Sequence, residues 1–212
     1  MDRLGFVFDL DDTLYPERDY VRSAFRWIAS ALGEADIFAS MWRRFEAGES
    51  DPIGALALER QLTTVQKTSL VAAMRAHEPD LVLDAGAAAL LAALRSAGSK
   101  FAIITNGRSV TQRRKIAALG VEDAAAILIS EETGAAKPDP LMYRLAANRC
   151  GAARHLYVGD NPAIDFAAPN ALGWMTAMIE RQDGVRRETD EPSAAQRPQR
   201  VIGSLADLLP LV

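Results

Sequence analysis

The sequence predicts an α/β fold, a Rossmann-like parallel sheet core with an inserted α-helical domain near its start. Three observations carry this. Short apolar runs alternate with helix-patterned stretches. Several of the helical stretches stop at a glycine, namely Gly98, Gly120, Gly151 and Gly173. From about Pro16 to Asp80 the alternation lapses and only helical spacing is found.

The first apolar run, Leu4-Gly5-Phe6-Val7-Phe8, ends in Asp9 and reads as a buried strand. Tyr20-Val21, Ala24-Phe25, Trp27-Ile28 and Ala31-Leu32 then recur at helical spacing, and Met41-Trp42-Phe45 and Leu56, Leu58, Leu62 and Val65 mark further helices. Tyr20, Phe25, Trp27 and Trp42 are expected to pack a core there rather than meet a ligand. Four more strands are expected at Phe101–Ile104, Ala126–Ile129, Leu156–Val158 and Trp174–Ile179, with helices at about Asp84–Ala97, Ser109–Leu119, Pro140–Arg149 and Pro162–Leu172. Residues 181–200 are polar and read as a surface loop; Val201-Ile202 and Leu205–Leu211 read as a last short strand and a closing helix. The domain division is therefore a core of residues 1–15 and 82–212 and an insertion of residues 16–81.

The bulk properties narrow the function. A chain of 212 residues, 49% hydrophobic and 25% charged, suits one globular domain, or one domain with a modest insertion. A net charge of -4 gives no reason to expect a nucleic-acid partner. No signal peptide and no bilayer-spanning run is read, so a membrane is not expected. The single cysteine, Cys150, excludes an intrachain disulfide and fits a reducing cytoplasm. The oligomeric state, monomer or homodimer, is open.

Candidate chemistry lies at the strand ends, where ligands of parallel sheets bind. Asp9 and Asp11 are two apart, so an extended backbone points both carboxyls to one side. One can attack as a nucleophile while the other moves a proton, and both offer hard oxygen ligands for Mg²⁺. Alone, such a pair is more often a solvated acidic turn. Thr105 and Asn106 follow a second buried strand and could hold phosphoryl oxygens, although Thr-Asn-Gly is also an ordinary turn. Lys137, after a glycine-containing loop and before a helix, could offset charge on a phosphoryl group and a carboxylate. Asp160 could complete a metal site opposite Asp9. Asp165 could orient Lys137, orient a metal-bound water, or merely decorate the first turn of its helix. What strengthens the four signals is their convergence on one crevice.

These residues resemble the haloacid dehalogenase superfamily over essentially the whole chain. Its four motifs stand in order: Asp9-Leu10-Asp11-Asp12-Thr13, Ile103-Ile104-Thr105-Asn106, Lys137-Pro138, and Gly159-Asp160 with Asp165. The resemblance implies that Asp9 is the nucleophile forming an aspartyl-phosphate and that Asp11 is the general acid/base, its backbone carbonyl helping to bind Mg²⁺. It implies that Thr105, with Asn106, binds the phosphoryl group, that Lys137 stabilises nucleophile and phosphate, that Asp160 is the metal-binding acid and that Asp165 supports it. The insertion resembles the family's cap over small substrates. Dehalogenases generally lack the second acid, because halide departure needs no proton; Asp11 therefore favours a phosphatase acting on a small phosphorylated metabolite, a sugar phosphate or nucleotide. A phosphomutase would keep the same motifs, and a catalytically silent scaffold would keep the fold without the full set of acids.

A closer resemblance rests on Arg75-x-His77-x-Pro79, Gln112-x-x-Lys115 and the run from Tyr157 through Asp165-Phe166 to Gly173-Trp174. These look like a bacterial subgroup similar to pyrimidine nucleotidases and sugar-phosphate phosphatases. Ile164 departs from it where lysine is expected, and Ala167-Ala168-Pro169 depart from the superfamily's usual glycine-alanine. His77 is expected to serve as a structural hinge rather than line the pocket. Arg108 is as suited to an exposed helix start as to substrate contact.

Overall fold

The computed structural model describes residues 4–182, 184–185 and 191–212. Within these, six strands form one parallel sheet: β1 (Leu4–Phe8), β2 (Phe101–Thr105), β3 (Ala126–Ile129), β4 (Arg154–Gly159), β5 (Met175–Ile179) and β6 (Arg200–Ile202). Their order is β3-β2-β1-β4-β5-β6. The chain leaves β1 towards β2 and β3, then returns to β1's other side for β4 and β5. The order therefore reverses at β1, and the crevice beyond its carboxyl end is where such sheets bind ligands.

The strands are continuous apolar runs because both sheet faces are covered. Alternate residues enter opposite cores. Phe6, Phe8, Ile103, Leu156 and Val158 join one cluster with the helix residues Leu90, Leu91, Leu94 and Ile116. Val7, Ala102, Ile104 and Tyr157 join the other with Met142, Tyr143 and Ala146. Those helices are α5 (Ala85–Ser96), α6 (Ser109–Ala118) and α8 (Pro140–Cys150), with the short α7 (Ser130–Thr133) before α8. Asp84 caps α5, accepting from the N–H groups of Gly86 at 2.8 Å and Ala87 at 3.4 Å, a bond worth about 1 kcal/mol.

Between β1 and α5 lie α1 (Glu17–Leu32), α2 (Asp36–Glu46), α3 (Pro52–Glu59) and α4 (Thr64–Arg75). They enclose a core of their own, built on Phe25, Ile28, Ile37, Met41, Leu56 and Met74. Trp42 stacks on Phe38, and the guanidinium of Arg22 lies 4.8 Å from the Trp42 ring. The aromatics thus pack as expected, with one exception, Tyr20, described below. At the return to the sheet, Ser23 Oγ lies 3.1 Å from His77 Nε2 and accepts from the Asp80 N–H at 2.9 Å. His77 is buried and stitches the junction.

Two expectations differ. The single helix expected over Pro162–Leu172 is two pieces, α9 (Pro162–Asp165) and α10 (Ala167–Ala171), divided at Phe166. Pro169 has no N–H to give to the Asp165 carbonyl four residues back. The Tyr143 hydroxyl donates to that carbonyl instead, at 3.1 Å. The closing helix at Leu205–Leu211 is a 3₁₀ helix with Pro210 inside it. Of the loop expected at 181–200, residues 183 and 186–190 lie outside the described residues; the described part includes a short 3₁₀ turn, Ala194–Gln196. Among the described residues no helix is long and apolar enough to cross a membrane.

Candidate active site

Asp9 is the first residue past β1. Its N–H still donates to the Val158 carbonyl at 2.8 Å, which extends the β1–β4 ladder by one rung and fixes the carboxylate at the switch point. The chain turns at Asp12, whose φ of 53° is one that aspartate tolerates better than most side chains. Its carboxylate accepts from the N–H groups of Glu17 at 2.8 Å and Val185 at 2.9 Å. It thereby ties the start of α1 and the segment after β5 to the loop that follows Asp9.

Lys137 reaches the same point from the loop before α8. Its buried Nζ stands 2.6 Å from Asp9 Oδ1 and 2.7 Å from Asp165 Oδ1. The loop is held by Asn106, whose Oδ1 accepts from the Lys137 N–H at 2.8 Å while its Nδ2 donates to the Lys137 carbonyl at 3.2 Å. Asp165 is fully buried. Its Oδ1 also accepts from the Tyr157 hydroxyl at 2.8 Å, and its Oδ2 from the Asn161 N–H at 2.8 Å. Gly159 makes room for it: a Cβ there would stand 2.5 Å from Asp165 Oδ2.

Asp11 faces a different set. The Tyr15 hydroxyl and Lys115 Nζ, the latter at 2.7 Å, donate to its Oδ1, and Gln112 Nε2 donates to its Oδ2 at 2.9 Å. The same Gln112 amide donates to Thr105 Oγ1 at 2.6 Å. Gln112, Lys115 and Thr105 are all buried.

The two acids are tuned apart. Burial pushes Asp9 up to about 6, with the Lys137 ammonium working against that rise. Burial alone would raise Asp11 as well, but Lys115 and the three hydrogen bonds bring it below the usual carboxylate range. Burial alone would lower Lys137; the charges of Asp165 and Asp9 hold it above the ordinary lysine value, so it stays an ammonium.

Asp9, Asp160 and Asp165 each bring a carboxylate oxygen within 4.8 Å of the others, a hard-oxygen set of the kind that suits a divalent cation. The hydrogen bonds divide this set. Both oxygens of Asp165 are engaged by Lys137, Tyr157 and Asn161, so Asp9 and Asp160 are the members that fit a cation. A cavity of about 270 Å³ opens beside Asp160, lined also by Asp12, Asn161 and Arg181.

The sequence model of the haloacid dehalogenase-like hydrolases matches residues 4–173. The chain belongs to this family. It is similar over nearly its full length to two relatives whose names are those of phosphatases. One is the glyceraldehyde 3-phosphate phosphatase of Methanopyrus kandleri, 29% identical over 95% of this chain and 97% of the relative. The other is the ribulose-1,5-bisphosphate 5-phosphatase of Halopiger xanaduensis, 27% identical over 97% and 98%. The fold matches that of the HAD-hydrolase YfnB from Bacillus subtilis, solved with magnesium bound, at a TM-score of 0.72 and 22% identity over 100% of this chain and 99% of that one.

The haloacid dehalogenase-like fold brings Asp9, Asp11, Thr105, Asn106, Lys137, Asp160 and Asp165 to one crevice, as the motif order implied. Of the three readings of Asp165, the ion pair with Lys137 at 2.7 Å is the contact that the first, orienting Lys137, calls for. The Asn106 side chain is spent on Lys137's backbone. Arg108 lies outside the crevice, paired with Glu131 at 2.7 Å on the surface. Tyr15, Tyr157, Gln112 and Lys115 had no role assigned from sequence. For Gln112 and Lys115 a signal exists: they share one helical face with Ile116 and Leu119, where the periodicity calls for apolar side chains.

Proposed function

We propose that this hydrolase, acting on phosphoric monoesters, is a Mg²⁺-dependent phosphatase of a small phosphorylated metabolite, a sugar phosphate or nucleotide, working through an aspartyl-phosphate on Asp9. The observation that carries the reading is the Lys137 ammonium, 2.6 Å from Asp9 Oδ1 at the sheet's switch point. A carboxylate attacking a phosphate dianion faces strong repulsion, and a fixed cation at the nucleophile relieves it. The two full-length relatives, both named for sugar phosphates, support that substrate class over a haloacid.

Asp9 attacks phosphorus while Lys137 and the Thr105 hydroxyl hold the phosphoryl oxygens. Asn106 fixes the Lys137 loop at the height of Thr105 and so sets the spacing of those two groups. Asp11, once it has taken up a proton from solvent, gives it to the departing oxygen and then takes one from the water that cleaves the aspartyl-phosphate. Asp9, Asp160 and the Asp11 backbone carbonyl would hold Mg²⁺. The ion supplies positive charge to the transferring phosphoryl group when bound. Residues 16–81, carrying α1–α4, serve as the cap over the crevice, with residues 1–15 and 82–212 as the core. The chain works in a reducing cytoplasm, where its one buried thiol stays unpaired.

The test is Asp9→Asn, assayed with Mg²⁺ on p-nitrophenyl phosphate and on a panel of sugar phosphates and nucleoside monophosphates. Turnover falls by about 10³-fold or more while the melting curve stays near that of wild type. Near-normal turnover in this variant refutes the nucleophile assignment.

A further inference from the structure

Gln112 and Lys115 are buried polar side chains on α6, and neither belongs to the four motifs. Both point at Asp11. An ionised carboxylate has about four lone-pair positions. On Asp11, Tyr15 and Lys115 take two on Oδ1, and Gln112 takes one on Oδ2. Among the described contacts one acceptor position is left, and it is on Oδ2. That position is registered to the phosphate site, because the Gln112 amide that grips Oδ2 also grips Thr105 Oγ1 at 2.6 Å. The clamp is also covered. The Lys115 ammonium lies 4.1 Å from the ring centroid of Tyr20 on α1, and that ring packs against His77 at the return from the insertion. Tyr20 thus belongs to the clamp rather than to the insertion's core alone.

Resting on the phosphatase reading above, we propose that Gln112 and Lys115 are positioning residues that aim Asp11 Oδ2 at the water releasing phosphate from Asp9. In that step the water oxygen bonds to phosphorus and one water proton passes to Asp11 Oδ2. The bond between phosphorus and the Asp9 oxygen breaks, its electron pair returning to the Asp9 carboxylate. A carboxylate held by donors on three sides is arranged to receive a proton on the fourth.

The proposal separates two steps that p-nitrophenyl phosphate can resolve. Its leaving group departs as an anion and needs no proton, so transfer to Asp9 proceeds without Asp11. Release of the phosphate from Asp9 still needs the base. Lys115→Met, mixed rapidly with this ester and Mg²⁺, is expected to give a burst of about one p-nitrophenolate per Asp9, followed by a steady state about 10²-fold below wild type. The intact protein should gain the mass of one phosphoryl group during the steady state. Lys115→Arg, which keeps a charged donor, should recover most of the rate. If Lys115→Met does not fold, judged by its melting curve, Gln112→Leu carries the same test. An unchanged steady state, or a fall without a burst or phosphoryl adduct, overturns the positioning role. A wild-type protein releasing no p-nitrophenolate or sugar-phosphate phosphorus with Mg²⁺ refutes the phosphatase reading, and this proposal with it.

Discussion

Asp165→Asn keeps the size of a fully buried side chain and removes its charge. Its Oδ1 lies 2.7 Å from Lys137 Nζ, where an effective dielectric of about 20 gives a gross attraction of about 6 kcal/mol. Part of this is offset in the native protein by the cost of burying the carboxylate. Removing one member of a buried pair costs about 3–5 kcal/mol net. Lys137 keeps Asp9 at 2.6 Å as a partner, which places the loss near the lower end, at about 3 kcal/mol. The amide adds a mismatch: whichever way it is turned, its NH₂ faces either the Asn161 N–H or the Lys137 ammonium. For a chain of this size the melting temperature should drop by about 6–12 °C, measured by circular dichroism in Mg²⁺-free buffer. Tyr157→Phe, which removes a hydroxyl bond of 2.8 Å to the same oxygen and leaves both charges, should cost only about 1 kcal/mol. An Asp165→Asn melt within about 2 °C of wild type, or a Tyr157→Phe melt as low as that of Asp165→Asn, refutes the reasoning.

Gly159→Ala places a Cβ 2.5 Å from Asp165 Oδ2, so the carboxylate must shift at a cost of about 1–3 kcal/mol. The kcat on p-nitrophenyl phosphate should drop, because Lys137 is paired to the displaced carboxylate, and a wild-type kcat rules out that steric route to Lys137. Asp160→Ala should raise the half-saturating Mg²⁺ concentration by at least about tenfold, since groups outside the ligand sphere are already worth about 10–100-fold in metal affinity. An unchanged Mg²⁺ titration removes Asp160 from the cation site.

The strands were legible because burial on both faces leaves near-continuous apolar runs, and each run that matters ends abruptly in a polar group: Phe8 before Asp9, Ile104 before Thr105, Val158 before Gly159-Asp160. The division of the helix at Phe166 was legible in principle, since Pro169 lies inside the pattern. The cap signals at Pro162 and Gly173 masked it, and nothing local says that Tyr143, 22 residues upstream, serves the orphaned Asp165 carbonyl. The role of Asp165 was not legible. A metal ligand and a lysine counterion look alike in sequence, and the choice is made by Lys137 and Tyr157, which only the folded sheet brings to the same oxygen. Gln112 and Lys115 were visible as polar interruptions of an apolar face, but their target lies more than 100 positions away in the chain.

Asp9 and Asp11 come from one short motif and sit two residues apart, yet they meet separate cations. Lys137, carried by the loop after β3, is shared by Asp9 and Asp165. Lys115, carried by α6, serves Asp11. Separate lysines let either acid change state without withdrawing the other's cation. On the proposed mechanism an acyl phosphate on Asp9 would carry no carboxylate charge, and a lysine paired to Asp9 alone would lose its anchor. Asp165 keeps Lys137 in place through that change, so the ammonium remains to meet the phosphoryl oxygens. On the same mechanism Asp11, which among the described ion pairs is bound to Lys115 and not to Lys137, would take and give a proton without moving Lys137. Each lysine pulls its carboxyl down; burial outweighs Lys137 at Asp9, which rises to about 6, whereas Lys115 and the hydrogen bonds outweigh burial at Asp11, which falls below its usual range. A single lysine bridging both acids would couple proton transfer to the attack on phosphorus. The two lysines instead reach the motif on separate elements: α6 packs on the sheet face of Phe6 and Phe8, and α8, which follows the Lys137 loop, packs on the face of Val7.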